Sequence, residues 1–243
     1  MKRNDFLNME LQDCLGIITM NNPPQNFIPT PDFIDEDALL SFLRVPEIKG
    51  VVITGSGRHF SAGADLENLK SLSGFPIELA KSISYGKNLL NIIENINLPV
   101  VAAIKGICFG GGFEIALSAH IRVSSENALF AFPEINHQLM PGLAGTITLP
   151  ILSGVSDALQ LLLSGNTIDA QKAKAMRLIN YIVPQKEVMN FSVQMLTQLV
   201  KDRPRYVIEA IVQSIMNSGK LPLEQALEKE TQLFCKLAVN ANF

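Results

Sequence analysis

Charge of one sign is what this sequence most clearly lacks. Twenty Lys and Arg stand against 23 Asp and Glu in 243 residues, a net charge of -3. Without a basic surplus there is little to displace counterions from phosphates, so no nucleic-acid partner is expected. Charged residues make up only 18% and hydrophobic ones 47%, the reverse of a disordered chain. Cysteine is scarce too: Cys14, Cys108 and Cys235 lie far apart, odd in number and without a C-x-x-C pair. A disulfide framework or zinc knuckle is therefore not expected, and a reducing, cytoplasmic setting fits. No apolar run reaches the roughly 18 residues a membrane span needs, so no membrane partner is expected. The opening residues, Met1–Asp13, lack the apolar stretch of a secretory leader.

Several catalytic signatures are missing as well. Gly55-Ser-Gly-Arg-His-Phe60 fails the G-x-G-x-x-G pattern at its last position, and no G-x-x-x-x-G-K-[ST] or G-x-S-x-G occurs. The three histidines, His59, His120 and His137, have no metal-ligand spacing. These gaps count against dinucleotide oxidoreductases, P-loop NTPases, serine hydrolases and resident metals.

What is present alternates. Near-continuous apolar runs at Leu15–Met20, Gly50–Thr54, Pro99–Ile104, Ile121–Ser125 and Leu178–Val183 predict strands buried on both faces. Between them, helical periodicity predicts helices over Ser82–Asn95, Ser156–Ser164 and Asp169–Arg177. Strand and helix in alternation predict an α/β fold with a mainly parallel sheet. After Pro184 the strand signal stops. Three helices broken at Pro204 and Pro222 are expected there, so the reading is an α/β core over 1–185 and a helical region over 186–243.

Two glycine-rich junctions follow strands: Gly50–Leu66, and Pro99–Glu114 with its Gly110-Gly-Gly112. Consecutive glycines at a helix start let the backbone approach a ligand with no Cβ in the way. The first-turn N–H groups then point outward with the positive end of the helix dipole behind them, as oxyanion stabilisation requires. Glu114, three residues after Gly111, falls beside that site. Glu134 lies in the largely apolar Phe130–Gly142, where burial would raise its pKa toward neutrality. Each carboxylate also has a plainer reading, Glu114 as a first-turn acid and Glu134 as a loop residue. Tyr85 and Lys87 read as structural residues of a helix bordering an acyl pocket. His137 reads as a hydrogen-bonded polar group.

The ordered motifs Asn22-Pro-Pro-Gln-Asn26, Phe60-Ser-Ala-Gly-Ala-Asp-Leu66, Gly106-x3-Gly-Gly-Gly-Phe-Glu114, Pro133-Glu-Ile-x5-Pro-Gly142 and Ile182-Val-Pro184 resemble the crotonase (enoyl-CoA hydratase/isomerase) superfamily, most closely its hydratases. That resemblance implies a spiral of ββα units and a helical C-terminal trimerisation region. It implies an acyl-coenzyme A or acyl-carrier thioester as substrate, with no further cofactor, and a homotrimer or hexamer. Matched by position, the N–H groups that hold the enolate oxygen fall on Ala64 and Gly111, and the paired carboxylates on Glu114 and Glu134. Similarity implies that Glu134 transfers the proton at Cα while Glu114 activates the water that adds at Cβ. Ala62, Asp65 and Leu66, with Gly110 in the glycine turn, match coenzyme- and substrate-lining positions. The expected activity is hydration of a 2-enoyl thioester. Double-bond isomerisation, or decarboxylation or hydrolysis through the same enolate, are the alternatives, followed by a non-catalytic acyl-CoA binder.

Overall fold

A computed structural model describes residues 6–239 and 241. The opening five residues, on which the expectation of no leader partly rests, lie outside them. Nine strands are described: β1 Leu7–Gln12, β2 Leu15–Met20, β3 Gly50–Gly55, β4 Val100–Ile104, β5 Ile107–Phe109, β6 Ile121–Ser125, β7 Leu129–Ala131, β8 Ile168–Asp169 and β9 Tyr181–Val183. The α-helices are α1 Glu36–Leu43, α2 Leu66–Ser73, α3 Pro76–Asn95, α4 Gly111–Ser118, α5 Gly145–Ser153, α6 Val155–Ser164, α7 Ala170–Ala175, α8 Val188–Val200, α9 Arg205–Lys220 and α10 Leu223–Ala238. The larger sheet has the order β1-β2-β3-β4-β6-β9, parallel except for the β1–β2 hairpin.

Its inner strands are largely apolar because both faces are covered, and the polar residues they do bury, Thr54 of β3 and Arg122, Ser124 and Ser125 of β6, have hydrogen-bond partners. Ile18, Val51, Ile53, Val100, Ala102 and Ile104 face the principal core with α1, α3 and α4. Leu15, Ile17, Val52, Val101 and Val123 point the other way, onto Val188, Leu196 and Val200 of α8. The helices after residue 185 thus differ in kind: α8 seals the sheet, whereas α10 buries no residue against the rest of the chain.

Several elements differ from the sequence expectation for identifiable reasons. The run Leu178–Val183 pairs only from Tyr181 onward. Leu178 instead closes the turn after α7 by donating its N–H to Ala173 O, with Arg177 at φ 62. β1, at the sheet edge, has only half-exposed and exposed residues, so it carries no buried run to read. β5, β7 and β8 are two to three residues long, too short for periodicity.

Those short strands matter most. They form a second sheet, order β5-β7-β8, in which β5 and β7 are parallel with Phe109 opposite Ala131. The segments leaving their carboxyl ends, Gly110-Gly111 and Phe132-Pro133-Glu134, therefore emerge side by side. No described helix is long and apolar enough to cross a membrane.

Candidate active site

The glycine turn is shaped by what cannot be there. Gly110 sits at φ 48 and ψ -126, a conformation closed to residues with a Cβ. A Cβ built on it would lie 2.6 Å from Glu134 Oε1. The Glu134 carboxylate therefore rests directly on the turn. On the other side, the Cβ position of Gly111 is 3.9 Å from Glu114 Oε2. The structure brings both carboxylates to the two flanks of Gly110-Gly111. Phe113 of α4 stacks on Phe132 at 5.0 Å and meets Phe130 at 5.1 Å, giving both glutamate-bearing segments one buried footing.

Ala64 reaches the same place from another loop. Gly63, at φ 93, has a Cβ position 2.9 Å from Phe109 O and 3.6 Å from Gly111 N, so its missing side chain permits the approach. The loop is held by Ser61, which is fully buried. Its hydroxyl donates to Asn26 O at 2.7 Å and accepts from Gly63 N at 3.2 Å. Buried Asn26 in turn donates its amide to Ser56 O and His59 O, both at 2.9 Å. Neighbouring N–H groups are spent inside the loop: Ala62 on Gln25 O and Asp65 on Ile28 O. Those of Ala64 and Gly111 have no acceptor among the described residues. Two adjacent, unspent backbone donors are what an oxyanion site consists of.

The carboxylates have opposite surroundings. Glu114 is 4% exposed, and its Oε1 accepts from Leu143 N at 2.7 Å and Gly145 N at 2.6 Å. Burial pushes its pKa up to about 7, with the Glu134 charge adding to the rise and the two N–H donors and Lys87 opposing it. Glu134 also rises to about 7 through burial, opposed by its own backbone N–H, and its buried Oε2 has no hydrogen-bond partner among the described residues. An acceptor of two N–H bonds favours the ionised form, and an orphaned oxygen favours the neutral one. The pair can therefore supply one base and one acid near neutrality.

A stability test follows. Folding raises the Glu134 pKa from 4.5 to about 7, so the native state binds more protons than the unfolded one across that window. The stability this proton holding supplies is complete below pH 4.5 and is lost as pH rises through about 7. Glu134→Gln removes the charge and should melt higher than wild type at about pH 8, by roughly 1–3 kcal/mol or about 3–10 °C. At acid pH the two should converge. A variant melting lower than wild type at the alkaline end would refute burial as the cause.

Ala62, Ala64 and Asp65 share one loop, but Asp65 spends its carboxylate capping α2, accepting from Glu67 N and Asn68 N. Leu66 is 45% exposed at the start of that helix. Tyr85 is tied into the fold through its hydroxyl, which accepts from Glu36 N at 2.7 Å. His137 is exposed. Leu143 and Gly145, the donors to Glu114, were not expected from the sequence. Between them Ala144 takes φ 95 and ψ 9, a left-handed conformation that turns both flanking N–H groups onto one oxygen. Among the described residues, no group of three or more His, Cys, Asp or Glu is placed to hold a metal ion.

Comparison with known proteins agrees with this architecture. The family model "Enoyl-CoA hydratase/isomerase" matches residues 10–243. A short-chain-enoyl-CoA hydratase of Clostridium acetobutylicum is 30% identical over 237 residues, which are 96% of this chain and 89% of that one. The peroxisomal bifunctional enzyme of Homo sapiens is 34% identical over 229 residues, 91% of this chain but only 30% of that longer protein. The crystal structure of an enoyl-CoA hydratase from Polaromonas sp. JS666 superposes with a TM-score of 0.87 at 28% identity, covering 95% of this chain and 90% of that one. Mixed α/β topology, a helical C-terminal region and the family match agree: the chain is a member of the enoyl-CoA hydratase/isomerase, or crotonase, family of enzymes.

Proposed function

We propose that this enzyme adds water across the double bond of a 2-enoyl-coenzyme A thioester, with no cofactor beyond the thioester itself. One observation carries the reading: a buried carboxylate, Glu114, and a half-buried one, Glu134, both raised to about 7, flank a turn whose Gly111 N–H, like the neighbouring Ala64 N–H, is unspent. With the thioester oxygen at those donors, charge that develops on addition meets fixed dipoles. Glu114, kept ionisable by Leu143 and Gly145, takes the proton from water as it attacks Cβ. Glu134, with an unpartnered oxygen, delivers the proton to Cα. Water's hydrogen and oxygen are thereby distributed over the two carbons, and each carboxyl ends in the opposite protonation state. The test is direct: with crotonyl-CoA, the absorbance of the conjugated enoyl thioester should disappear as hydration proceeds. Unchanged absorbance at micromolar enzyme would overturn the reading.

Assembly belongs to the same proposal. Ile147 and Ile151 of α5 and Val155, Leu159 and Leu163 of α6 are 52–78% exposed, at spacings that line up along each helix. Ile211, Ile215, Leu223, Leu227 and Phe234 of α9 and α10 are 52–74% exposed. Apolar surface on this scale marks a protein interface, and a closed ring covers it without leaving an edge. The chain should therefore run as a homotrimer, or as a hexamer of two trimers. Light scattering at micromolar concentration checks it, and a mass near 26.6 kDa, one chain, would refute it.

A further inference from the structure

A cavity of about 140 Å³ opens beside Glu114, between α3, α4 and α5. On the proposed reading the thioester carbonyl lies at Ala64 and Gly111 and Cβ lies at Glu114, so the acyl chain beyond Cβ enters this space. Its size is close to that of a cavity that accepts benzene, which corresponds to roughly six non-hydrogen atoms. The acyl group is therefore short.

The chemistry of the wall is more telling than its volume. Along α3 the lining residues are Lys87, Leu90, Asn91 and Glu94, the i, i+3, i+4, i+7 face of the helix, and Thr148 of α5 faces them across the cavity. Only Leu90 is apolar in that row, whereas Leu117, Leu143 and Ala144 make the opposite wall apolar, so a short hydrocarbon segment has one side to lie on and a polar end to meet the other. A wholly hydrocarbon tail would have to displace water from the polar residues of α3 without replacing its hydrogen bonds. The charges are not balanced within the cavity. Glu94 is paired with Lys220 of α9 at 2.9 Å. Lys87 has no ion-pair partner among the described residues, is solvent-exposed at the rim, and lies near enough to Glu114 to oppose its rise in pKa. The Asn91 side-chain oxygen already accepts from Asn95 Nδ2 at 2.8 Å, which leaves its NH₂ as the free end. The rim therefore offers an ammonium and an amide donor, and its one nearby carboxylate outside the catalytic pair is neutralised.

We propose that the substrate's acyl group ends in a carboxylate, held at the cavity rim by the Lys87 ammonium with Asn91 and Thr148 as supporting hydrogen-bond donors. This rests on the hydratase reading for which end of the thioester enters the cavity, and it adds the acyl class. Lys87 sets specificity and takes no part in the proton transfers. Its partial exposure means that the carboxylate keeps part of its hydration on binding, so attraction is not offset by full desolvation.

Saturated thioesters test this without turnover. Isothermal titration should show glutaryl-CoA or adipyl-CoA binding tighter than hexanoyl-CoA, by roughly 2- to 5-fold at low salt. The advantage should shrink at about 0.5 M NaCl, where screening is strong. Lys87→Glu should reverse the preference, Lys87→Met should erase it and Lys87→Arg should retain it. Circular dichroism verifies that each variant at this exposed helix position is folded. Tighter binding of hexanoyl-CoA by the wild type, or a binding ratio that Lys87→Glu and Lys87→Met leave unmoved, overturns the proposal. The two readings fail separately: absent crotonyl-CoA hydration sinks the reaction, while the ratio of dissociation constants decides the acyl class.

Discussion

Glu114→Gln and Glu134→Gln are each expected to lower kcat for hydration by roughly 10² to 10⁴, with KM changed far less. The substitution at 114 is conservative in structure: an amide oxygen can still accept from Leu143 N and Gly145 N, so the α4–α5 junction keeps both bonds. What is lost is the capacity to take a proton from water. At 134 the amide preserves the packing against Gly110 but cannot deliver a proton to carbon. A second readout separates the roles. Exchange of the Cα hydrogen of butyryl-CoA with deuterated solvent needs only the Cα proton carrier and the oxyanion donors. Glu114→Gln should retain that exchange while losing hydration; Glu134→Gln should lose both. The pH profile of kcat/KM should be bell-shaped around neutrality, because one carboxyl must be protonated and the other ionised while both sit at about 7. Either glutamine variant keeping more than a tenth of the wild-type kcat would dismiss the two-carboxylate mechanism.

How far the sequence reveals this site depends on where the determinants lie. Gly50–Gly55 and Val100–Ile104 are legible because burial on both faces leaves a run that is apolar but for Thr54, whereas Ile121–Ser125 carries Arg122, Ser124 and Ser125 buried and reads less cleanly. The glycine turn before the helix at Gly111 is legible through its context, because three glycines alone are explained equally well by close packing and it is the Phe60–Leu66 motif ahead of them that marks the site. The pairing of β5 with β7 is not, since three-residue strands carry no periodicity, yet it is what sets Glu134 beside Gly110. Ala144 at φ 95 is invisible for a different reason: alanine is a poor predictor of a left-handed turn, and only tertiary bonds to Glu114 justify it. Lys87 reads from the sequence as a structural residue of a helix bordering an acyl pocket, and its ammonium is seen to stand at a cavity rim only once α4 and α5 close against it. Local pattern shows the elements; the site is made where elements distant in sequence meet.

Gly111→Pro and Gly111→Ala together isolate one backbone hydrogen. Gly111 is the first residue of α4, where proline is tolerated because that N–H has no intrahelical partner. Gly110 precedes it at ψ -126, away from the helical ψ that collides with a following proline ring. Added side-chain atoms meet chiefly Ile28 Cδ1, 3.1 Å from the Cβ position and at the movable end of its chain. Alanine brings the same Cβ but keeps the N–H. Both variants should fold, and the alanine variant should keep most of its activity. Proline should cost about 3–4 kcal/mol of transition-state stabilisation, a 10² to 10³-fold fall in kcat, because one of two oxyanion donors is gone. Gly112→Ala provides a structural contrast: its Cβ would fall 2.6 Å from Ser61 Cβ and 2.8 Å from Ser61 O. Relieving that overlap must separate the two donor-bearing segments, so activity should fall although every N–H remains. A folded Gly111→Pro enzyme as active as Gly111→Ala would show that the Gly111 N–H does not hold the developing charge, and the oxyanion assignment would fail with it.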